Sequence, residues 1–322
     1  MKNKARLSNK IYRKIHWLVF DKLKPGKWVR IFYKSYRHRK KGFPEGADRR
    51  TVYITQIPNE GAGIGHQMAN FNGGYHYSQL FNVPFAYPAF SDKKWEEFLG
   101  FGENEISVKE LKKQGYKIRK LPYFKETKDD VAMVNRIIDS YAGQKIVLSV
   151  ELDQFYKKQY DVIPYIKEKF ENATARRNDK VLYNEEDLNV AIHIRRGDIV
   201  VGRETGEETL TKRWISLDYY ENVVKCLKEK YKKEMTLYIF SQGEKEEYSV
   251  FEKYGKVIYC LDMDAMQSFL HMVRADILVI SKSSFSYKPA LLADGIRVCP
   301  PDFWHDYPED EKWIVASEEG IF

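Results

Sequence analysis

Cysteine is scarce in this chain of 322 residues: only Cys226, Cys260 and Cys299 occur, far apart and without CxxC spacing. Such a set argues against a disulfide framework or a zinc site and fits a reducing compartment. Long apolar runs are missing too. Nothing approaches the roughly 18 to 20 uninterrupted apolar residues needed to span a bilayer. The early segment IHWLVF is too short, and too closely flanked by charge, for a signal peptide. The expectation is a cytoplasmic protein, in which the sequon Asn172-Ala173-Thr174 is chance. No Gly/Ser, Gln or Pro tract suggests disorder, and no GxSxG, HExxH or Walker loop announces a hydrolase, metalloprotease or P-loop enzyme. The seven histidines show no metal-ligand spacing. What is present is 43% hydrophobic and 15% aromatic, enough for two globular domains or one large one.

Acidic residues are nearly absent from the first 41 positions, which hold 15 Lys and Arg against one acid, Asp21; the remainder holds 39 basic and 45 acidic residues. The net charge of +8 therefore belongs to an arm on a mildly acidic globule. In that arm, residues 1–44, Ile11, Ile15 and Leu18 share a helical face, Pro25-Gly26 breaks the pattern, and Trp28, Ile31, Phe32 and Tyr33 follow. A basic amphipathic segment bearing Trp and Phe suits an anionic membrane surface. Nucleic-acid binding and simple packing on the body are the competing readings. The arm is expected to dock on anionic lipid, peripherally at the inner membrane, with no nucleic-acid partner.

In the body, TVYITQI (51–57), a glycine loop, a helix over about 66–80 and VPFAY predict a βαβ unit. Helical stretches follow around 93–99 and 128–141, then a strand over 145–152 and a helix across 160–171. From 188 the alternation becomes regular: strand LNVAIHI, helix 216–231 with Ser216 as N-cap, strand MTLYIFS, helix 244–254, strand KVIYCL, helix 264–275, strand ILVIS, helix 285–295 and strand RVC. The expected class is α/β with mostly parallel sheet, in two Rossmann-like domains over 45–187 and 188–300, ending in a C-terminal tail, 301–322.

In such folds ligands bind at the carboxyl ends of strands. There the sequence places His193, Arg195, Arg196 and Asp198 after one strand, Ser241 after the next, and Ser281, Ser283, Ser284, Phe285 and Ser286 after another. Arginine offers a planar fork of donors matched to phosphate oxygens. Two adjacent arginines cannot both point the same way, so one should meet a ligand and the other support the loop. Gly197 permits a tight turn. The serine run opens a helix, where unpaired N–H groups and the dipole favour phosphate. Two anion-suited loops on neighbouring strands point to a diphosphate. Gly63, Gly65, His66 and Gln67 form a loop of close backbone approach. Asp262 and Asp264 of LDMDAM end a strand and cap a helix more simply than they hold a metal.

These stretches resemble a known family. HIRRGD, 193–198, is similar to the HxRRGD motif of GDP-fucose-dependent fucosyltransferases, especially the α-1,2-fucosyltransferase family, glycosyltransferase family 11. GAGIGHQMANFNGGYHYSQLFNVPFAY, LYIFSQ and SKSSFSYKPALLA resemble that family's other motifs, in its order. His66, Ile199 and Gln242 depart from its preferences. The resemblance implies a GT-B-like architecture, with 45–187 on the acceptor side and 188–300 binding the GDP-sugar. It implies inverting, metal-independent transfer of L-fucose from GDP-β-L-fucose to a glycan hydroxyl. With no cofactor, Arg195 or Arg196 would hold the β-phosphate, Ser283, Ser284 and Ser286 would grip the diphosphate, and His193 and Asp198 would shape the loop. Asp198, His66 and Asp153 are candidates for a base. A bacterial-type enzyme of polysaccharide biosynthesis, with a lipid-linked acceptor at the membrane and an α-1,2 linkage, fits this. A different GDP-sugar donor, or a nucleic-acid-binding scaffold with a vestigial rim, is the alternative.

Overall fold

The computed structural model describes residues 27–43, 46, 48–59, 61–151, 158–176 and 179–322. The helical face of Ile11, Ile15 and Leu18, the Pro25-Gly26 break and Asp153 lie outside the described residues. By contacts the chain divides into two units. The first takes 1–62, 69–91 and 104–156; the second takes 63–68, 92–103 and 157–322.

In chain order the strands are β1 Val52–Thr55, β2 Lys117–Lys120, β3 Ile146–Ser149, β4 Leu188–His193, β5 Met235–Ser241, β6 Lys256–Leu261, β7 Ile277–Val279, β8 Ile296–Cys299 and β9 Trp313–Val315. The α-helices are α1 Lys34–His38, α2 Ile64–Phe81, α3 Lys93–Leu99, α4 Val108–Lys113, α5 Lys128–Tyr141, α6 Ile163–Asn172, α7 Asp198–Glu204, α8 Glu208–Thr211, α9 Leu217–Tyr231, α10 Ala265–Arg274 and α11 Ser284–Leu292.

In the first unit β3 pairs in parallel with both β1 and β2, giving the order β1-β3-β2. Helix α5 starts at Thr127, whose hydroxyl caps Asp130, and buries Met133, Val134, Ile137, Ile138 and Tyr141 on one side. That i, i+1, i+4 pattern is the apolar stripe of a helix packed on a core. The strand expected at VPFAY does not form. Ile54 donates to the carbonyl of Pro84 and Ala86 donates to that of Ile54, after which Tyr87 pairs with 106 and 108 instead. Pro84 has no N–H to extend a ladder, so this stretch makes two isolated bridges.

The second unit carries a six-stranded, wholly parallel sheet in the order β6-β5-β4-β7-β8-β9. From β4 the chain steps outward to β6, returns to the other side of β4 as β7, and steps outward again to β9. This is a doubly wound sheet. Strands β4 and β5 are buried almost throughout, as near-continuous apolar runs in a parallel sheet must be. Helix α9, capped by Ser216, buries Tyr219, Tyr220, Val223, Val224 and Leu227 against them. Each such side chain contributes about 1.5–3 kcal/mol.

One expectation is refined and one corrected here. The helix expected over 244–254 forms at residues 245–254 as a 3₁₀-helix; Tyr248, Phe251 and Tyr254, spaced by three, all pack on the core, which suits three residues per turn. Residues 301–322, expected as a tail, supply β9, which pairs with β8 through Arg297–Trp313. A strand of three residues leaves no periodic signal.

Helix α11 is held at its far end by Arg297, whose buried guanidinium donates to the carbonyls of Ala290, Ala293 and Gly295. A cation there satisfies the helix's last acceptors. Within α11, Lys288 is fully buried, bonded to the side chain of Gln159, and burial pushes its amine down to about 7. Between about 7 and 10.5 the unfolded chain holds this proton and the native chain does not, so stability rises with pH across that window and is lost as pH falls through it. Lys288→Met is expected to raise the melting temperature at neutral pH, by a stabilisation on the order of a few kcal/mol, and to flatten that rise. Calorimetric melting of both forms from neutral to alkaline pH checks this.

Candidate functional site

Strands β4 and β7 lie side by side, Val190 opposite Ile277 and Ile192 opposite Val279. The chain leaves β4 toward β5 and leaves β7 toward β8, so the two connections diverge. In a doubly wound sheet that point is where a ligand fits, beyond the carboxyl ends of the strands. His193-Ile194-Arg195-Arg196-Gly197-Asp198 leaves β4, and Ile280 through Ser284 leaves β7.

Arg195 joins the two connections. Its Nη1 donates to Ser283 Oγ at 3.2 Å, and its Nη2 to Asp198 Oδ2 at 2.8 Å. These contacts use only part of the guanidinium's fork of donors, and the rest is available to an anion. Arg196 turns inward. It is buried, with Nη1 donating to the carbonyls of Arg195 at 2.9 Å and Ile215 at 3.3 Å, and its guanidinium lies 4.0 Å from the centre of the Trp214 ring. Of the two expected ligand-holding arginines, Arg195 faces the site and Arg196 braces the loop. Gly197 is needed for a second reason besides its φ of +62°: a Cβ there would stand 2.0 Å from Gln242 Oε1.

The serines divide in the same way. Ser283 caps α11, accepting from Phe285 N at 3.2 Å while it receives Arg195. Ser286, expected to grip a diphosphate, is fully buried, donating to the Ser283 carbonyl and accepting from Ser281 N; it shapes the turn. Ser281 accepts from Tyr220 OH at 2.9 Å. Ser241, expected at the ligand, donates at 2.7 Å to the Ile194 carbonyl and so locks the ends of β4 and β5 together. Ser284 remains on the rim. Its Oγ accepts from Trp304 Nε1 at 3.4 Å and lies 3.0 Å from His305 Nε2. Both partners come from the stretch beyond β8, and His305 is itself buried and stacked 4.2 Å from the Tyr287 ring. Sequence reasoning missed them, although the aromatic cluster FWHDY at 303–307 was a visible signal.

The glycine loop closes the site from another side. Gly65 stands so near Ser284 that a Cβ on it would come within 2.8 Å of Ser284 Cβ and 3.1 Å of its backbone carbon, whereas Gly63 has open space. Gly65 is in the first turn of α2, and residues 63–68, with half-buried His66 and buried Gln67, belong to the second unit. The N-termini of α2 and α11 therefore meet. Each end carries roughly half a positive charge, and two such ends beside Arg195 make a position that favours an anion. His193 completes the wall: its ring is tilted 5.6 Å from Phe285, its Nδ1 is buried without a hydrogen-bond partner, and burial with the nearby Arg195 charge pushes its pKa down to about 3. It is a neutral ring packed behind the rim.

Among the described residues, no group of three or more His, Cys, Asp or Glu side chains could hold a metal ion. Asp264 caps α10, accepting from Met266 N and Gln267 N.

No protein-family model matches the sequence, and no curated protein matches it. Among solved structures the chain is similar to POFUT1 in complex with GDP-fucose, at 13% identity over 87% of this chain and 100% of that one, with a TM-score of 0.44. It is similar to POFUT1 in complex with GDP at 13% identity over 81% of this chain and 98% of that one, TM-score 0.43. A mutant FUT1 of Arabidopsis thaliana in complex with GDP matches at 10% identity over 93% of this chain and 79% of that one, TM-score 0.46.

The two arginines should separate by stability. Arg196→Ala removes a buried guanidinium from its ring and carbonyls and is expected to cost about 3 kcal/mol. Arg195→Ala breaks a partly exposed pair and should cost about 1 kcal/mol or less. Urea unfolding of both variants decides it. His193 should show no titration between about pH 5 and 8 when its ring carbons are followed by NMR.

Proposed function

We propose that the rim of the second unit binds the diphosphate of a nucleotide sugar, and that the chain transfers L-fucose from GDP-β-L-fucose to a glycan hydroxyl, with inversion and without a metal. The observation that carries the first part is the meeting of two helix N-termini beside Arg195, which is fixed by Ser283 and Asp198. The resemblance of HIRRGD and SKSSFS to the fucosyltransferase motifs supplies the donor, since those two stretches build this rim. The same resemblance supports an α-1,2 linkage and a lipid-linked acceptor.

In the transfer the acceptor oxygen forms a bond to the anomeric carbon as the bond from that carbon to the diphosphate breaks. GDP leaves with the electron pair, and the proton of the acceptor hydroxyl passes to solvent water. Negative charge then grows on the β-phosphate oxygens. Arg195 and the helix ends are already oriented toward that position and need no reorganisation as it grows, so they stabilise the transition state more than the ground state. The role of Asp198 is to hold Arg195, since its Oδ2 is engaged there. Ser284, oriented by Trp304 and His305, adds a hydroxyl to the phosphate cradle.

A calorimetric panel of GDP, UDP, GDP-fucose and GDP-mannose, each with EDTA, tests the reading. EDTA-resistant binding of GDP and GDP-fucose with UDP silent is expected; a requirement for metal, or preference for UDP, refutes it. Arg195→Ala should lower fucose transfer by about a hundredfold or more while its melting temperature stays near that of the wild type.

A further inference from the structure

The first described residues of the chain make a surface that the transfer chemistry does not use. Lys27–Phe32 form a 3₁₀-helix that leads into α1. One residue of it, Val29, is buried, while Trp28, Ile31 and Phe32 are 53%, 53% and 57% exposed. Trp28 and Phe32 meet edge to face, with ring centres 6.5 Å apart. Large apolar side chains grouped on a surface mark an interaction site more often than singly scattered ones do.

This apolar tip stands on a firm base. Arg30 Nη2 donates to Asp130 Oδ1 at 2.8 Å, and Tyr33 OH donates to Glu151 Oε1 at 2.7 Å. Ser35 Oγ donates to the Lys120 carbonyl at 2.5 Å, and His38 stacks on Tyr141 with ring centres 3.8 Å apart. Arg30, Tyr33, Ser35 and His38 thus fasten the segment to the rest of the first unit, while Trp28, Ile31 and Phe32 are held outward. A surface that only needed solubility would reverse that arrangement.

The charge of the segment selects its partner. Residues 27–43 contain seven Lys and Arg and no acid, and Lys34, Lys40 and Lys41 are exposed. Aromatic and aliphatic side chains that can enter the headgroup region, on a segment that also carries exposed lysines, match an anionic lipid surface in both hydrophobicity and charge. We propose that Trp28, Ile31 and Phe32 insert at the surface of an anionic bilayer while Lys34, Lys40 and Lys41 contact its headgroups, so that a prefolded tip docks the protein. This does not depend on the donor or on the reaction, and it places the contact at a braced tip rather than on the face of Ile11, Ile15 and Leu18.

The test uses the full chain and flotation with vesicles of phosphatidylcholine alone or of equimolar phosphatidylcholine and phosphatidylglycerol. The wild type should float with the anionic vesicles, less so at high salt, and stay behind with the neutral ones. The double variant Trp28→Ala, Phe32→Ala should lose at least about tenfold in partitioning, which corresponds to 1.4 kcal/mol. Lys40→Gln with Lys41→Gln should lose about fivefold per lysine at low salt. These side chains are exposed, so both variants should keep the wild-type melting temperature. Undiminished flotation of Trp28→Ala, Phe32→Ala overturns the proposal in favour of residues 1–26. Equal binding to neutral vesicles overturns the headgroup contact. Absence of vesicle binding, with a dimer dissolved or RNA retention abolished by the same variant, overturns it in favour of a second copy or a nucleic acid.

Discussion

The parallel pairing of β4 with β7 is the constraint on which the candidate site depends. It sets two strands side by side whose continuations run in opposite directions, and so leaves backbone and side chains at their ends with no neighbouring connection to cover them. Everything that gives the rim its character follows from that. Arg195 spans the gap to Ser283, α11 begins at its edge, and the first turn of α2 comes in against Ser284. The arrangement brings one guanidinium and two helix ends together, with Asp198 holding the arginine and Arg297 the far end of α11.

Much of this could be read from the amino-acid sequence, and the limits of that reading have physical causes. Strands β4 and β5 were legible because a parallel sheet buries both faces and so demands unbroken apolar runs. Helices α9 and α10 were legible because Ser216 and Asp264 stand where N-caps belong, ahead of an apolar stripe. The loop HIRRGD was legible as the end of β4 through its change from apolar to charged residues, and two adjacent arginines could be expected to divide their work. Which one faced inward was not legible, since it depends on Trp214, a ring eighteen positions onward whose stacking on Arg196 is a tertiary event. Ser241 and Ser286 looked like ligand contacts because a hydroxyl at a strand end can serve either a ligand or the backbone, and only the folded backbone around it distinguishes the two. Lys288 hid inside an apolar helix, where its type argues for exposure and its burial does not show in any periodicity.

The stretch after β8 carries a related lesson. Its aromatic residues had no alternation and β9 is only three residues long, so nothing periodic marked it as part of the sheet. Yet it closes the sheet's edge and sends Trp304 and His305 to the hydroxyl of Ser284. Short elements at a domain's end are stabilised by what they cover, and their sequence records side-chain chemistry more faithfully than secondary structure.

The close approach of Gly65 to Ser284, together with the contact of Ser284 to His305, has a bearing on how the protein is made. Synthesis proceeds from the N-terminus, and domains ordinarily fold as they emerge. Here the second unit draws its parts from the glycine loop, from 92–103 and from the final half of the chain, so its first piece must wait for its last. Contacts between residues so distant along the chain form late and slowly. The glycine loop is synthesised long before Ser284, so the rim can form only once both strand-end loops of the second unit have been made.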